Sequence, residues 1–436
     1  MEKKRMAAAA FAGLLGLMGL ALFAAEHKRP RILEIGILGN SYWDVACADP
    51  YRIIDHAIEK FEKSHPDTRV HYYSGISKKD YSEWLSERIL KGETPDVFMV
   101  LSQDFRGLVS LGVLENLDGR MGEDPGFSRK DFYDTALEAG LVNGSQYALP
   151  YETVPMLMFV NRSLLEKEGI RLPSSDWTWE EMYQICERVT YDGDGDGRKD
   201  QFGTYNYSWL EALYSNGGRV FDHEGKKCYL DGERTLEAVR FLDRLGSLYQ
   251  RERVTQETFD QGNVAFMPMS FAQYRTYKTY PYRIKKYSNF QWECTTLPAG
   301  PQGGNISRVD SLLLGISSKS RQKDLAWEFL KLMTGDREIQ MELFLYSQGA
   351  SVLKSVTNSL EAEEILKKDT DEKDKIISHT LLNQVIENGC VIQEFSKYSE
   401  AMALSDGEVE KIFSTGSTME ESLKISKRMV EAVLQK

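Results

Sequence analysis

The stretch from Tyr147 to Thr190, YALPYETVPMLMFVNRSLLEKEGIRLPSSDWTWEEMYQICERVT, constrains this chain more than any other. Its apolar run Val154–Val160 has no helical periodicity and contains Pro155, so it reads as an extended segment buried on both faces. A helix pattern follows, broken by Gly169 and Pro173, and a second helix starts at Thr178. Thr178 as N-cap with Glu181 three residues on forms a capping box, and Trp177 ahead of the cap can pack on Met182 as a hydrophobic staple. A buried strand with polar Tyr151 and Glu152 at its entrance, about a third of the way along, predicts a crossing between two domains.

Length agrees with that division. At 436 residues the chain exceeds one typical core. Lys and Arg total 54 against 66 Asp and Glu, a formal charge of -12, and phosphate binding needs a basic face, so nucleic acid is not the expected partner. The 22 Tyr and 7 Trp supply side chains with an apolar face and a polar handle, suited to a wet cleft.

Residues 1–25 carry the address. Lys3, Lys4 and Arg5 precede an uncharged apolar run, Met6 to Ala25, the layout of a secretory signal peptide or an uncleaved membrane anchor. Leu22 and Phe23 stand where a cleavage site wants small residues, which favours a retained anchor with the basic tip inside and the body outside. The expected location is the extracellular face of the cell membrane, of Gram-positive type. The five cysteines (Cys47, Cys186, Cys228, Cys294, Cys390) contain no CxxC, so no metal knuckle or redox motif is expected, with a single disulfide left open. Cys186 falls on the apolar face of the Thr178 helix with Met182, Ile185 and Val189.

After the leader, apolar patterning predicts a strand at Ile32–Leu38, a helix at Tyr51–Ser64, a strand at Val70–Tyr73, a helix at Lys79–Leu90 and a strand at Val97–Leu101. That alternation means parallel pairing with right-handed crossovers, and ligands then sit beyond the strands' carboxyl ends, at Asn40–Trp43 and Ser102–Asp104. Further on, Phe259–Arg283 combines a short strand with a Tyr- and Arg-rich loop, and Leu297–Ser307 reads as a linker. Leu312–Ile316 is another strand, Asp324–Met333 a periodic helix, and Lys367–Lys375 a solvated charge run.

The sharpest local motif is Asp192-Gly193-Asp194-Gly195-Asp196-Gly197-Arg198-Lys199-Asp200. Asp192, Asp194, Asp196 and Asp200 occupy positions 1, 3, 5 and 9 of a calcium loop, Gly197 permits the turn at 6, and the Arg198 carbonyl is the position 7 ligand. Position 12 is Gly203 rather than a bidentate Glu, so a remote side chain or water must complete the shell. The expectation is a structural Ca2+. Enzyme signatures such as GxSxG, HExxH and the P-loop do not occur, and no enzymatic activity is expected.

With these residues in hand, the chain resembles the family 1 extracellular solute-binding proteins, the substrate-binding subunits of carbohydrate ABC importers. The likeness is carried in order by FEKSHPDTRV, GETPDVF, LPYETVPMLMFVNRSLLEKEGI followed by TWEEM, then FDQGNVAFMP, LPAGPQGG and GISSKSRQKDLAWEFLKLMTG. It implies an α/β, two-lobed fold of the type II periplasmic-binding-protein kind with three crossings, near Leu149–Val154, Thr295–Pro298 and Thr334. Lobe one is then residues 31–150 plus 297–335, and lobe two 151–296 plus 336–436. It also implies a monomer that captures a sugar or oligosaccharide by hinge closure and delivers it to ABC permease subunits. The alternatives are a secreted carbohydrate-active enzyme or a ligand-sensing subunit of a membrane signalling complex. The lipobox cysteine of many relatives is missing.

A sugar presents hydroxyls edgewise and an apolar C–H face, so its site needs aromatic plates ringed by polar side chains. The candidates are Asn40, Trp43 and Asp104 from lobe one, and Tyr151, Glu152, Trp209, Phe271 and Arg275 from the crossing and lobe two.

Overall fold

The computed structural model describes residues 30–45, 49–250, 252–279, 290–368, 376–413 and 418–435. The predicted leader, Cys47, most of the Lys367–Lys375 run and the end of the Tyr-rich loop lie outside them. None of the described helices is long and apolar enough to cross a membrane.

The strands that build the fold are β1 (Arg31–Gly36), β2 (Thr68–Tyr73), β3 (Val97–Val100), β4 (Ala148–Asn161), β5 (Phe202–Thr204), β6 (Val264–Ser270), β7 (Trp292–Thr295), β8 (Val309–Ile316) and β9 (Ala350–Ser351). The helices used below are α1 (Arg52–Ser64), α2 (Lys78–Lys91), α3 (Ser102–Ser110), α4 (Trp179–Val189), α5 (Trp209–Ser215), α6 (Glu233–Leu248), α7 (Phe271–Thr279), α8 (Lys323–Gly335), α9 (Arg337–Tyr346), α10 (His379–Glu387), α11 (Tyr398–Ile412) and α12 (Met419–Leu434). β1 pairs in parallel with β2 and β3, as the strand–helix alternation predicts, and β8 lies antiparallel between β3 and β4.

β4 joins the lobes. Its first half pairs with β8 and β9, its second half with β6 and β7. Flanked by β8 and β9 at Glu152 and Thr153 and by β6 and β7 from Met158 to Val160, it is buried along its length except at Met156, which is why its sequence shows no alternation. Pro155 falls at the handover, since the β8 ladder ends at Val309 opposite Pro155 and the β6 ladder begins at Ser270 opposite Met156. A residue without an N–H belongs where the ladder changes partners.

Downstream, the Thr178 capping box forms with both reciprocal bonds. Trp177 and Met182 bury in the lobe-two core with Cys186 and Val189. The four described cysteines, Cys186, Cys228, Cys294 and Cys390, are free thiols.

Two boundaries differ from the sequence division. Residues 297–304 stay with lobe two, where Ala299 bridges Thr178 and the Gly300 and Gly304 amides donate to the Ser215 carbonyl at 3.1 Å. The second crossing therefore falls at 305–309. The chain also does not cross near Thr334. α9 packs on α1 and β9, with Lys60 ion-paired to Asp336 and Glu338, and α10 packs on β4, so residues 337–387 belong to lobe one. Ile339, Leu343, Val385 and Ile386 are buried on the faces by which α9 meets α1 and β9 and α10 meets β4. The third crossing is at 389–395, where Cys390 exchanges backbone bonds of 2.9 Å with Ser307 and Val309. Only then do α11 and α12 return to the lobe-two core beside α6.

Candidate functional site

The cleft lies along one face of the crossing strands. In the β4–β8 ladder Glu152 stands opposite Leu312 and Val154 opposite Asp310, so these four share a face with Met156 and Arg308. Above this floor come the two loops after β1 and β3, tied together by a 2.9 Å bond between the Tyr42 and Ser102 hydroxyls. This is the carboxyl-end position that parallel sheets reserve for ligands.

One end of the floor is centred on Glu152, only 3% exposed. Trp43 Nε1 donates to its Oε1 and the Ser347 hydroxyl to its Oε2. Burial pushes the carboxyl pKa up, and these two bonds and the nearby Arg275 charge oppose that rise. Arg275 donates to the carbonyls of Leu343 (3.1 Å) and Phe344 (2.7 Å), so its fork is engaged with the end of α9.

The other end holds an ion pair that the sequence reading missed. Arg308 Nε donates to Asp310 Oδ1 at 2.7 Å, and their side chains are 36% and 33% exposed, within reach of a ligand. Asp310, chiefly, and the surrounding phenols hold the Arg308 pKa above its usual value. Around the pair stand Tyr42, Tyr214, Tyr398 and Glu394. Burial raises Tyr398 to about 12 and raises Glu394. Beside them, a cavity of about 260 Å³ is lined by Glu138, Tyr214, Phe221, Cys390, Gln393 and Tyr398. Arg308 and Asp310 alternate at the start of an apolar strand, a signal that a period-two reading could find. Glu394 lies in the irregular third crossing and Tyr398 opens α11 just after it, and neither carries a local signal.

The sequence candidates divide accordingly. Trp43, Glu152 and Arg275 come together. Asp104 sits at the start of α3, accepts from the Ser82 hydroxyl at 2.5 Å, and has its pKa raised by burial. Asn40 is on the rim, where Oδ1 accepts from the Lys78 amide at 3.1 Å and caps α2. Tyr151, 5% exposed, points into the core instead of the cleft. Trp209 is packed in the lobe-two core with Nε1 donating to Asp406 at 2.8 Å. Phe271, at 0% exposure, is enclosed with Tyr274 and Phe344. In this conformation the last three offer no face to a ligand.

In the aspartate loop, Asp192, Asp194 and Asp200 bring one carboxylate oxygen each within 4.8 Å of one another. Asp196 stands outside that group and accepts from the Arg198 amide at 2.8 Å. Asp192 accepts from the Gly195 and Gly197 amides, and the Gly197 bond leads in lowering its pKa. Gly203 lies inside β5 against Cys186 and supplies no ligand.

A two-lobed receptor with its cleft across three crossings is the class that this fold and site define. The family model of the bacterial extracellular solute-binding proteins matches residues 48–340, and the chain belongs to that family. Relatives from Brucella abortus are 26% identical over 270 residues, 57% of this chain and 60% of theirs. The maltotriose-binding protein of Pyrococcus abyssi is 23% identical over 340 residues, 73% of this chain and 67% of that one. Among solved structures, the cyclic α-maltosyl-1,6-maltose binding protein of Arthrobacter globiformis has a TM-score of 0.75 at 15% identity, covering 93% of this chain and 99% of that chain. The sugar-binding protein MalE of Xanthomonas citri has a TM-score of 0.74 at 16% identity, covering 93% and 97%.

Proposed function

We propose that the chain captures a sugar or oligosaccharide between its lobes by hinge closure and delivers it to an ATP-driven importer. The observation that carries this is the cleft floor, where a solvent-reachable Arg308–Asp310 pair stands near Tyr42 and Tyr398, and Trp43, edge-on to Tyr42 at 4.7 Å, donates to Glu152. Ion pairs and carboxylates accept and donate to hydroxyls, and the rings take a pyranose C–H face. Relatives named for maltotriose and diacetylchitobiose binding support the ligand class. The test is a thermal-shift screen over mono- and oligosaccharides, with small-angle scattering on any hit. A ligand that binds the native state raises its melting temperature and compacts the molecule. If no saccharide does either, the reading fails.

The chain is further proposed to act as a monomer held at the outer face of the membrane by residues 1–25. A Streptomyces antibioticus relative described as a lipoprotein, 24% identical over 301 residues, supports surface attachment. The Asp192 loop is proposed to hold a structural Ca2+ through Asp192, Asp194 and Asp200, since hard cations take clustered oxygens. Chelator should then lower the melting temperature and calcium restore it. No change after prolonged dialysis against chelator would remove the ion.

A further inference from the structure

The two most exposed large apolar side chains among the described residues are Leu90, 88% exposed, and Leu111, 77% exposed. A lone exposed leucine is ordinary, but these two stand at the same end of neighbouring helices. With β1, β2 and β3 parallel, α2 and α3 both run from the cleft end of lobe one to its opposite end. They touch near the cleft, where the Ser82 hydroxyl donates to Asp104 at 2.5 Å. At 1.5 Å of rise per residue, Leu90 lies about 12 Å below Ser82 and Leu111 about 10 Å below Asp104. At that lower level the Ser317 amide donates to the Asp96 carbonyl at 2.9 Å and the Ser318 amide to the Val113 carbonyl at 2.8 Å, tying the turn after α3 to the start of β3. Ile32, 45% exposed, joins them from β1. A Cβ on Gly36 would meet Trp84 of α2 at 3.0 Å, so the even-numbered positions of β1 face α2.

The chain enters the lobe at this same end, where Arg31 opens β1 and its amide donates to the Asp67 carbonyl at 2.8 Å. Residues 26–30 separate Arg31 from the apolar run that ends at Ala25, and fully extended they reach at most about 18 Å. Resting on the reading of residues 1–25 as a membrane anchor, we propose that this end of lobe one lies on the phospholipid surface, with Leu90, Leu111 and Ile32 entering the acyl boundary. A linker of that reach is shorter than the roughly 30 Å across a small domain, so the lobe cannot turn another face to the bilayer. Apolar side chains that face water gain by entering that boundary. Charge does not oppose the contact. Arg31–Asp67, Arg88–Glu93, Lys91–Glu87 and Lys323–Glu115 are paired within the lobe, and Lys319 and Arg321, either side of Ser320, offset the nearby Asp96 and Glu34. Lys28 and Arg29 in the linker, against Glu26, tip the balance towards anionic phospholipid. The cleft, at the other ends of the same strands, is thereby held about 20 Å or more above the surface.

The experiment places the photo-crosslinker p-benzoylphenylalanine at position 90, 111 or 425 of the full chain. Ile425, 55% exposed on α12 of lobe two, serves as the control, and substitution at these exposed positions leaves the cores intact. Each variant is reconstituted into vesicles of phosphatidylcholine and phosphatidylglycerol, floated on a density gradient, illuminated and read for phospholipid adducts by mass spectrometry. The expected result is flotation with the vesicles, adducts at 90 and 111, and none at 425. Flotation with the adduct missing at either 90 or 111, or with as much at 425, overturns the inference and leaves the anchor reading standing. A chain that does not float with the vesicles removes the anchor reading and this inference with it.

Discussion

Replacing Arg275 with methionine tests whether α7 holds the lobes together. α7 follows β6 of lobe two, yet the Arg275 guanidinium, 9% exposed, donates to the Leu343 and Phe344 carbonyls of α9 in lobe one. These belong to the last turn of the helix, which lacks donors of its own and whose dipole favours a cation. Each such charge-assisted bond is worth about 1.5–3 kcal/mol. Two give about 3–6 kcal/mol, and returning the guanidinium's desolvation cost leaves a net of about 2–3 kcal/mol. That is a shift of about 30- to 150-fold in favour of the open arrangement. Methionine keeps most of the side-chain volume, so the core beneath it stays filled. Small-angle scattering of the ligand-free variant should show a larger radius of gyration, and ligand should bind more weakly because closure must be driven by binding alone. A variant that scatters, melts and binds like the parent would refute the reasoning.

Acid should act through Asp124, which accepts from Lys331 at 2.6 Å and Trp327 at 2.8 Å and is held down at about 2, with the Lys331 bond as the first cause. Its folded pKa lies below the unfolded one, so its contribution is complete above about 4 and is lost as pH falls through about 2. Thermal melts across that window should steepen for the parent and flatten for Asp124→Asn. Glu152 has the opposite sign. Its raised folded pKa means stability is greatest below the unfolded value and declines as pH rises through the folded one, and Glu152→Gln should remove that decline in denaturant titrations. Gly203→Ala places a Cβ 2.4 Å from the Cys186 Cβ, an overpacking that costs about 1–3 kcal/mol. An unchanged melting temperature would show that α4 can back away from β5.

The physics that the sequence exposes is local. The apolar, unpatterned β4 announces a strand buried on both faces, and the Thr178–Glu181 box announces the start of α4, because both depend on residues within a few positions of each other. The parallel order of β1, β2 and β3 follows from alternation alone, and with it the place of the Asn40–Trp43 and Ser102–Asp104 loops. Which aromatic faces the cleft and which fills the core is not local. Trp209 and Phe271 have the composition of ligand plates but find their partners in Asp406 and in Phe344, far along the chain. The lobe allegiance of residues 337–387 was set by apolar faces meeting α1 and β9, and the Arg308–Asp310–Glu394 cluster exists only because the second and third crossings lie side by side. Periodicity determined the elements and the crossing strand. Contacts between residues distant in sequence decided the boundaries of the lobes and the charge of the cleft, since burial and electrostatic pairing are properties of what packs together, not of what is adjacent along the backbone.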